Sequence, residues 1–325
     1  MDTSGSGSMR DRMARLPYAD HMSLVTEENV ALVALLRTLR KGERWGSVTE
    51  RILERGSAVS VWEDRISESL LPDPDLPTAY EQAAHDVTAW VEAGYVMVGI
   101  LDRHYPSRLR EIHQAPPFLF ASGQFRADDP AIAVVGSRKA SERGIAIATA
   151  LADAVARRGV TVLSGLAAGV DAAAHTAALS AGGRTVAIIG TGINKQYPAS
   201  NRALQQEIMQ RGLVLSQFWP DAPPQQHNFL MRNAVMSGYG RATVVVEASE
   251  QSGARAQARM AVEHGRPVIL TDQVVALNEW ARALVERPGV YVARGIDEAL
   301  EQIDNILHNE DAVNRLLNHL LGAGL

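Results

Sequence analysis

The sequence predicts an α/β protein, a doubly wound and mostly parallel Rossmann-like sheet preceded by a small helical domain. Three observations carry that reading. Short apolar runs alternate with segments long enough for crossover helices, which is the rhythm of a parallel sheet. Several runs, Ile132 to Val135 among them, are apolar at every position, as strands covered on both faces are. Within the stretch Ile132 to Asp171, two runs pass at once into turns of small residues and then into helix, and in such sheets ligands sit beyond the carboxyl ends of the strands.

Residues 1–22 are polar and rich in glycine and serine and read as a flexible tail. Residues 23–94 read as an N-terminal helical domain. Leu32, Leu35, Leu36 and Leu39 share one helix face, and Ile52 and Leu53 serve a second helix that closes near Gly56. A third helix, carrying Trp90, follows the proline-rich break from Pro72 to Pro77 and stops at Gly94. The main domain extends over residues 95–308. Its entrance holds two strands, Tyr95 to Val98 and Pro116 to Phe120, the second kept extended by Pro116-Pro117. Further runs follow at Ile132 to Val135, Val160 to Leu163, Thr185 to Ile189, Leu213 to Leu215, Thr243 to Val246, Val268 to Leu270 and Val290 to Val292. The helices between them stop at Gly159, Gly212 and Gly265, and Ser200 is the expected N-cap of one. Residues 309–325 form a C-terminal helix whose Leu316, Leu317, Leu320 and Leu321 need a face to bury, so a homodimer is expected.

Composition limits what this fold can do. The chain of 325 residues is 46% hydrophobic and 21% charged, with a formal net charge of -5, so any grip on a polyanion must come from a local basic surface. Arg103, Arg108 and Arg110 are candidates for such a surface. The absence of cysteine excludes disulfides and thiolate metal sites. No apolar run is long enough to span a bilayer and no signal-peptide core is present, so the expected compartment is the cytoplasm.

The strand-end turns define the chemistry. Gly190-Thr191-Gly192 lacks the third glycine of a dinucleotide fingerprint, and no P-loop, nucleophile elbow or zinc spacing occurs. No catalytic residue, metal or cofactor is therefore assigned. Asp171 and His175 stand one helical turn apart, the spacing of an acid/base pair but also of many ordinary helix neighbours. Four loops converge on one sheet edge: Gly136, Ser137, Arg138 and Lys139; Ser164, Gly165 and Gly169; Gly190, Thr191 and Gly192 with Lys195; and Phe229 with Arg232 and Asn233. Small residues admit phosphates, the cations supply charge, and Phe229 offers a ring for a base. That combination suits a single nucleic-acid strand.

The same residues carry a resemblance. GSR at 136–138, SGLAAGVDAAAH at 164–175, GTGINKQYPASN at 190–201, Phe229 with Arg232-Asn233, and VVVEASEQSG at 244–253 occur in an order that resembles the DprA/Smf family of DNA-processing proteins. The likeness runs from about Tyr95 to Arg266. It implies an extended Rossmann fold that dimerises, binds single-stranded DNA in a basic pocket, and loads the recombinase RecA during DNA uptake. By position it implies that Gly136, Ser137 and Arg138 hold phosphate, that Lys195 lies near the strand, and that Phe229, Arg232 and Asn233 complete the pocket. The chain departs from the family pattern where Ala234 replaces a second arginine and Leu230 a proline, and where Ser252 to Ala258 reads SGARAQA in place of SGSLITA. Arg255 is the expected partial offset. A second class, a nucleotide-binding sensor or nucleotide hydrolase on a related fold, remains open. The hydrolase's glycine-rich glutamate motif is absent, and Glu247 and Glu250 are the nearest carboxylates.

Overall fold

The computed structural model describes residues 25–68, 75–126 and 128–322; the tail at 1–22 and most of the proline-rich break lie outside them. Helices α1 (Glu27–Arg37), α2 (Trp45–Arg55), α3 (Ala58–Ser67) and α4 (Asp75–Glu92) open the described chain. Thr26 caps α1 by accepting from the Asn29 amide, and Val30 through Leu36 are buried at every position, so this helix is core on all sides rather than striped. Leu39 lies past its end. The sequence reading named one helix fewer here: Ser57 caps the additional α3, which buries Val61, Trp62 and Arg65. In α2 Ile52 is buried but Leu53 is exposed. The reading of Gly56 and Gly94 as stops matches their left-handed backbones, φ +72 and +85.

One sheet follows. Its strands are β1 (Val96–Gly99), β2 (Phe118–Gly123), β3 (Ala131–Gly136), β4 (Thr161–Ser164), β5 (Thr185–Ile188), β6 (Leu213–Ser216), β7 (Ala242–Glu247), β8 (Val268–Thr271) and β9 (Val290–Ala293), ordered β1-β2-β6-β5-β4-β3-β7-β8-β9. From β6 to β9 all neighbours are parallel, whereas β1 and β2 join antiparallel at one edge. Every apolar run named above is a strand, and the two at the entrance extend the main sheet. The chain winds outward from β3 through β4 and β5 to β6, then returns to β7 on the other flank. The winding reverses between β3 and β7, and a crevice opens there.

Between and around these strands run α5 (Ser107–Arg110), α6 (Glu142–Arg157), α7 (Val170–Ser180), α8 (Arg202–Arg211), α9 (Gln226–Tyr239), α10 (Gly253–Glu263), α11 (Asp272–Leu277), α12 (Glu279–Val285) and α13 (Ile296–Gly322). The alternation of side chains along β3 divides the core: Ile132 and Val134 join the cluster under α6, α7 and α13, while Ala133 and Val135 join the cluster under α9 and α10. The second cluster runs on into α1 to α4. Aromatic rings weld that junction: Trp219 stacks on Phe118 at 4.7 Å and on Trp90 at 5.6 Å, with Trp45 edge-on at 5.3 Å. Ser200 does not cap α8; it lies in a 3-10 turn, and Asn201 stands at the helix start. Helix α13 runs unbroken through residue 309. The side chains of Leu316, Leu317, Leu320 and Leu321 lie outside the described residues.

Of the three arginines proposed for a basic surface, Arg108 and Arg110 act as internal ties, while Arg103 stays exposed. Arg108 reaches Glu310 at 3.0 Å, Arg110 donates to the Ile100 carbonyl at 2.8 Å and lies over Tyr105, and Arg103 contacts His104 at 3.2 Å. Asp171 and His175 also part company. Thr185 Oγ1 donates to the Val162 carbonyl at 2.7 Å and accepts from His175 Nδ1 at 2.6 Å, so the ring pins α7 to β4 and β5. Burial drives the His175 imidazole down to about 3, with the Arg232 charge adding to the effect. A histidine held neutral in the fold takes up a proton more readily when unfolded, so its contribution is intact above the unfolded value of 6.5 and is lost as pH falls toward about 3. The slope is up to about 1.4 kcal/mol per pH unit for one proton. Urea melts of the wild type and of His175→Gln at neutral pH and at about pH 4.5 are expected to show the wild type losing about 2 kcal/mol more than the variant on acidification; equal losses would show that another group sets the acid limb.

Candidate functional site

Helix α9 carries the chain back across the sheet from β6 to β7, and its position decides what faces the crevice. Phe229, Arg232, Asn233 and Met236 fall at i, i+3, i+4 and i+7 and line one wall together. Arg232 is buried and lies directly on Gly165, where a Cβ would overlap the guanidinium. Its carboxylate partner is Asp171, second residue of α7, whose nearest oxygen is 4.0 Å away. That is a loose pair for two charges out of water. Arg232 Nε has no hydrogen-bond partner, and the Met236 sulfur is 3.8 Å from Nη1. Burial lowers the Arg232 guanidinium, partly countered by Asp171, and Arg138 adds to the lowering. Burial raises the Asp171 carboxyl against the pull of Arg232 and of the Ala167 and Gly165 amides, which donate to it at 3.3 and 3.2 Å. A cation held dry with an incomplete partner is poised to take an anion.

Arg138 approaches from the loop after β3. Its guanidinium carbon sits 5.3 Å from the Phe229 ring centroid, a cation–π contact that holds the otherwise exposed side chain over the crevice. Tyr197 lies beside Phe229 at 5.7 Å, tilted by 41°. Gly190 packs against Phe229 so closely that a Cβ would stand 2.6 Å from the ring. Phe229 is therefore flanked by Gly190 and Arg138 and aims the guanidinium, while remaining half-buried on the cavity.

The glycines belong to this packing. A Cβ at Gly136 would stand 2.6 Å from Val170 Cγ2, one at Gly169, where φ is +79, would press on the Ser137 carbonyl, and one at Gly192 would meet the Trp219 and Pro220 carbonyls. They seat the loops against one another and let Arg232 and Phe229 in. Asn201 completes the frame, donating to the Leu166 and Ala167 carbonyls at 3.0 and 3.1 Å. The N-terminus of α6 is likewise filled from within: Ser141 Oγ accepts from the Gly144 amide at 3.0 Å, and Glu247 accepts from the Ser141 amide at 3.1 Å. Glu250 accepts from the Glu279 amide at the start of α12. Both nearby carboxylates thus hold helix ends.

The resulting cavity measures about 1010 Å³, near the top of the range for ligand sites, and lies at the β3/β7 switch point. Gly136, Ser137, Arg138, Lys139, Phe229, Arg232 and Asn233 line it. Gly165 and Gly190 line a smaller adjoining hollow of about 90 Å³ that shares Arg138, Phe229 and Arg232. The remaining expected residues lie behind or beside it. Ser164 is fully buried and donates to the Val134 carbonyl at 2.7 Å, Thr191 is buried, and Lys195 faces Asp221 at 3.4 Å. Arg255 is turned away as well, donating to the Glu250 carbonyl at 2.9 Å, so it offsets nothing in the cleft. The sequence reading missed the opposite wall: Ser249, Gln251, Ser252, Gly253 and Gln257 line the cavity from the β7–α10 loop and α10. Ser249, Gln251, Ser252 and Gly253 stood in the quoted VVVEASEQSG motif without a role, and Gln257 in the SGARAQA segment was treated only as part of a departure.

Comparison with known proteins places this architecture. The family model described as DNA recombination-mediator protein A matches residues 96–304. Protein Smf of Synechocystis is 38% identical over 172 residues, covering 51% of this chain and 43% of that protein. The DNA processing protein DprA of Streptococcus pneumoniae is 37% identical over 205 residues, 62% of this chain and 72% of that one. The crystal structure of the pneumococcal protein superposes with a TM-score of 0.58 at 25% identity, over 90% of this chain and 97% of that one. The DNA processing protein A of Helicobacter pylori, described for its single-stranded DNA binding mode, gives a TM-score of 0.58 at 24% identity over 66% of this chain and 96% of that one, a likeness of fold. With nine strands in one mostly parallel sheet, a switch-point cleft built from the quoted motifs, and a family match spanning the whole sheet, the chain is a member of the DNA recombination-mediator protein A family, the DprA/Smf proteins.

Proposed function

We propose that this chain binds single-stranded DNA along the switch-point cleft, shields it, and assists the loading of RecA, without turning over DNA or nucleotide. The observation that carries the reading is the pairing of two guanidiniums of different exposure on one cavity. Arg232 is buried, short of a counter-charge and fixed by Gly165, while Arg138 is exposed and aimed by Phe229. A strand of linked phosphates offers such a pair what it lacks. Family membership and the single-stranded DNA binding described for the H. pylori protein support the same reading. No helix among the described residues is long and apolar enough to cross a membrane, and the cytoplasm is where such a protein meets DNA and recombinase.

A second copy completes the proposal. Strand β9 ends the sheet with an open edge, and near it Leu277 and Tyr291 are 68% and 38% exposed, so pairing there covers apolar surface and a free strand edge at once. Light scattering is expected to give twice the chain mass at working concentration; a monomer would remove the dimer from the reading. For DNA, fluorescence anisotropy is expected to show oligo-dT binding whose log–log salt slope falls by roughly 0.7 in Arg138→Ala, with affinity down about tenfold and duplex of equal length bound more weakly. Gly165→Ala, which drives Arg232 from its seat, is expected to weaken binding at least as much. Tight binding of a mononucleotide that ignores strand length would favour a nucleotide sensor instead, and metal-dependent turnover lost in Glu247→Gln would make the protein an enzyme.

A further inference from the structure

The cleft holds one buried carboxylate, and it stands where a ligand's charge would fall. Asp171, second residue of α7, lines the same cavity as Arg138 and Arg232 and is only 5% exposed. It faces Arg232 at 4.0 Å, and its Oδ2 accepts from the Gly165 and Ala167 amides at 3.2 and 3.3 Å. Arg232 Nε has no hydrogen-bond partner among the described residues. A phosphate that engages this guanidinium therefore arrives beside a second anion, and two negative charges sharing one buried cation repel. Burial already raises the Asp171 carboxyl against the pull of Arg232 and the two amides, and a neighbouring phosphate pushes it the same way.

The surrounding groups leave the adjustment to Asp171. The strands beneath α7, β3 to β5, carry no ionisable side chain. His175, one turn on, is held neutral, its imidazole driven by burial down to about 3. Glu142 and Arg143 at the start of α6 and Arg202 at the start of α8 are exposed, and Glu247 is engaged on the Ser141 amide. Lys139 and Tyr197, also exposed on the cavity, are groups that keep their protons through the neutral range. From α9 the exposed His227 is the one further group near the rim whose type titrates close to neutrality.

We infer that a phosphate of the bound strand replaces Asp171 as the counter-charge of Arg232 and that Asp171 takes up a proton from solvent as it does so, a deepening of the strand-binding reading on which it rests. No bond to the phosphate forms or breaks; the carboxylate gains one proton. The sign follows from linkage. The carboxyl of the complex is protonated at a pH where that of the free protein is still charged, so affinity rises as pH falls through the value in the complex and levels off below the value in the free protein. A carboxylate that merely braced the loop after β4 would gain no proton when a strand arrives.

Oligo-dT suits the test, because neither its bases nor its diesters titrate from weakly acid to neutral pH. Anisotropy titrations of the wild type at fixed ionic strength are expected to show Kd falling by up to about tenfold per pH unit from neutrality toward about pH 5.5, within the range where thermal melts show a folded chain. Calorimetry at about pH 6.5 in Pipes and in imidazole is expected to give binding enthalpies that differ by the uptake of up to about one proton, a measurement that needs no variant. Asp171→Asn, which keeps an acceptor for the two amides, is expected to flatten the pH dependence and to bind oligo-dT about tenfold tighter at neutral pH; His227→Gln is expected to keep the wild-type slope. A wild-type affinity that ignores pH with an enthalpy that ignores the buffer overturns the inference and leaves strand binding standing, as does a slope that persists in Asp171→Asn or disappears in His227→Gln. No salt-dependent binding at any pH overturns the reading beneath both.

Discussion

A guanidinium kept out of water beside a carboxylate that does not quite reach it is the constraint from which the site is built. Arg232 stands 4.0 Å from Asp171, close enough to make its burial tolerable and too far to neutralise it in a good pair. Everything nearby is arranged around that cation. Position 165 must be glycine, since any side chain would occupy the guanidinium's space. Asp171 must sit at the first turn of α7, where the Gly165 and Ala167 amides share its charge. Helix α9 must cross at the height that brings Arg232 onto the loop after β4. The site is thus a property of the doubly wound topology: only the return from β6 to β7 lays a helix across the switch point.

This is a different way of holding an anion from the helix terminus that α/β proteins commonly use. Helix α6, which follows the first glycine turn, has its Gly144 amide taken by Ser141 Oγ and the amide of the capping Ser141 taken by Glu247. What remains for a ligand is side-chain charge of two kinds. Arg232 is rigid, dry and directional, and Arg138 is mobile in principle but steered by the face of Phe229. Rigid and steered cations together favour a ligand with several phosphates at fixed spacing over a single compact one, because each cation contributes only where a phosphate arrives.

The fold was legible in the chain because its determinants are local. A strand buried on both faces, as β3 is between Ala131 and Val135, has to be apolar at every position, and a glycine after a helix has few other uses. The site was legible in part. Arg138, Phe229, Arg232 and Asn233 could be assembled because motif order brings their loops to one sheet edge. Lys195 was grouped with them because its loop starts at the right strand end, yet it turns to Asp221; spacing fixes where a loop leaves the sheet, not which way a long side chain then points. The glycines were read as openings for phosphate; the fold also uses them as seats for Val170, Arg232 and Phe229. No local pattern says whether the space left by a missing Cβ is filled by ligand or by protein. The α3 helix was missed for a simpler reason, that Gly56 and Ser57 look like a loop until Val61 and Trp62 are seen facing the same core as α1.

The departures from the family pattern also change meaning once placed. Ala234 is a buried residue of α9, 3% exposed, so the residue where the resemblance implied a second arginine packs in the core. Arg255 is held by Glu250 outside the cleft, and Leu230, in place of proline, leaves nearly half its surface at the rim. The described cleft carries Arg138, Lys139 and Arg232 as its lining cations, while Gln251 and Gln257 lie on its other wall. Affinity that rests on few phosphate contacts is less eroded by salt than affinity that rests on many.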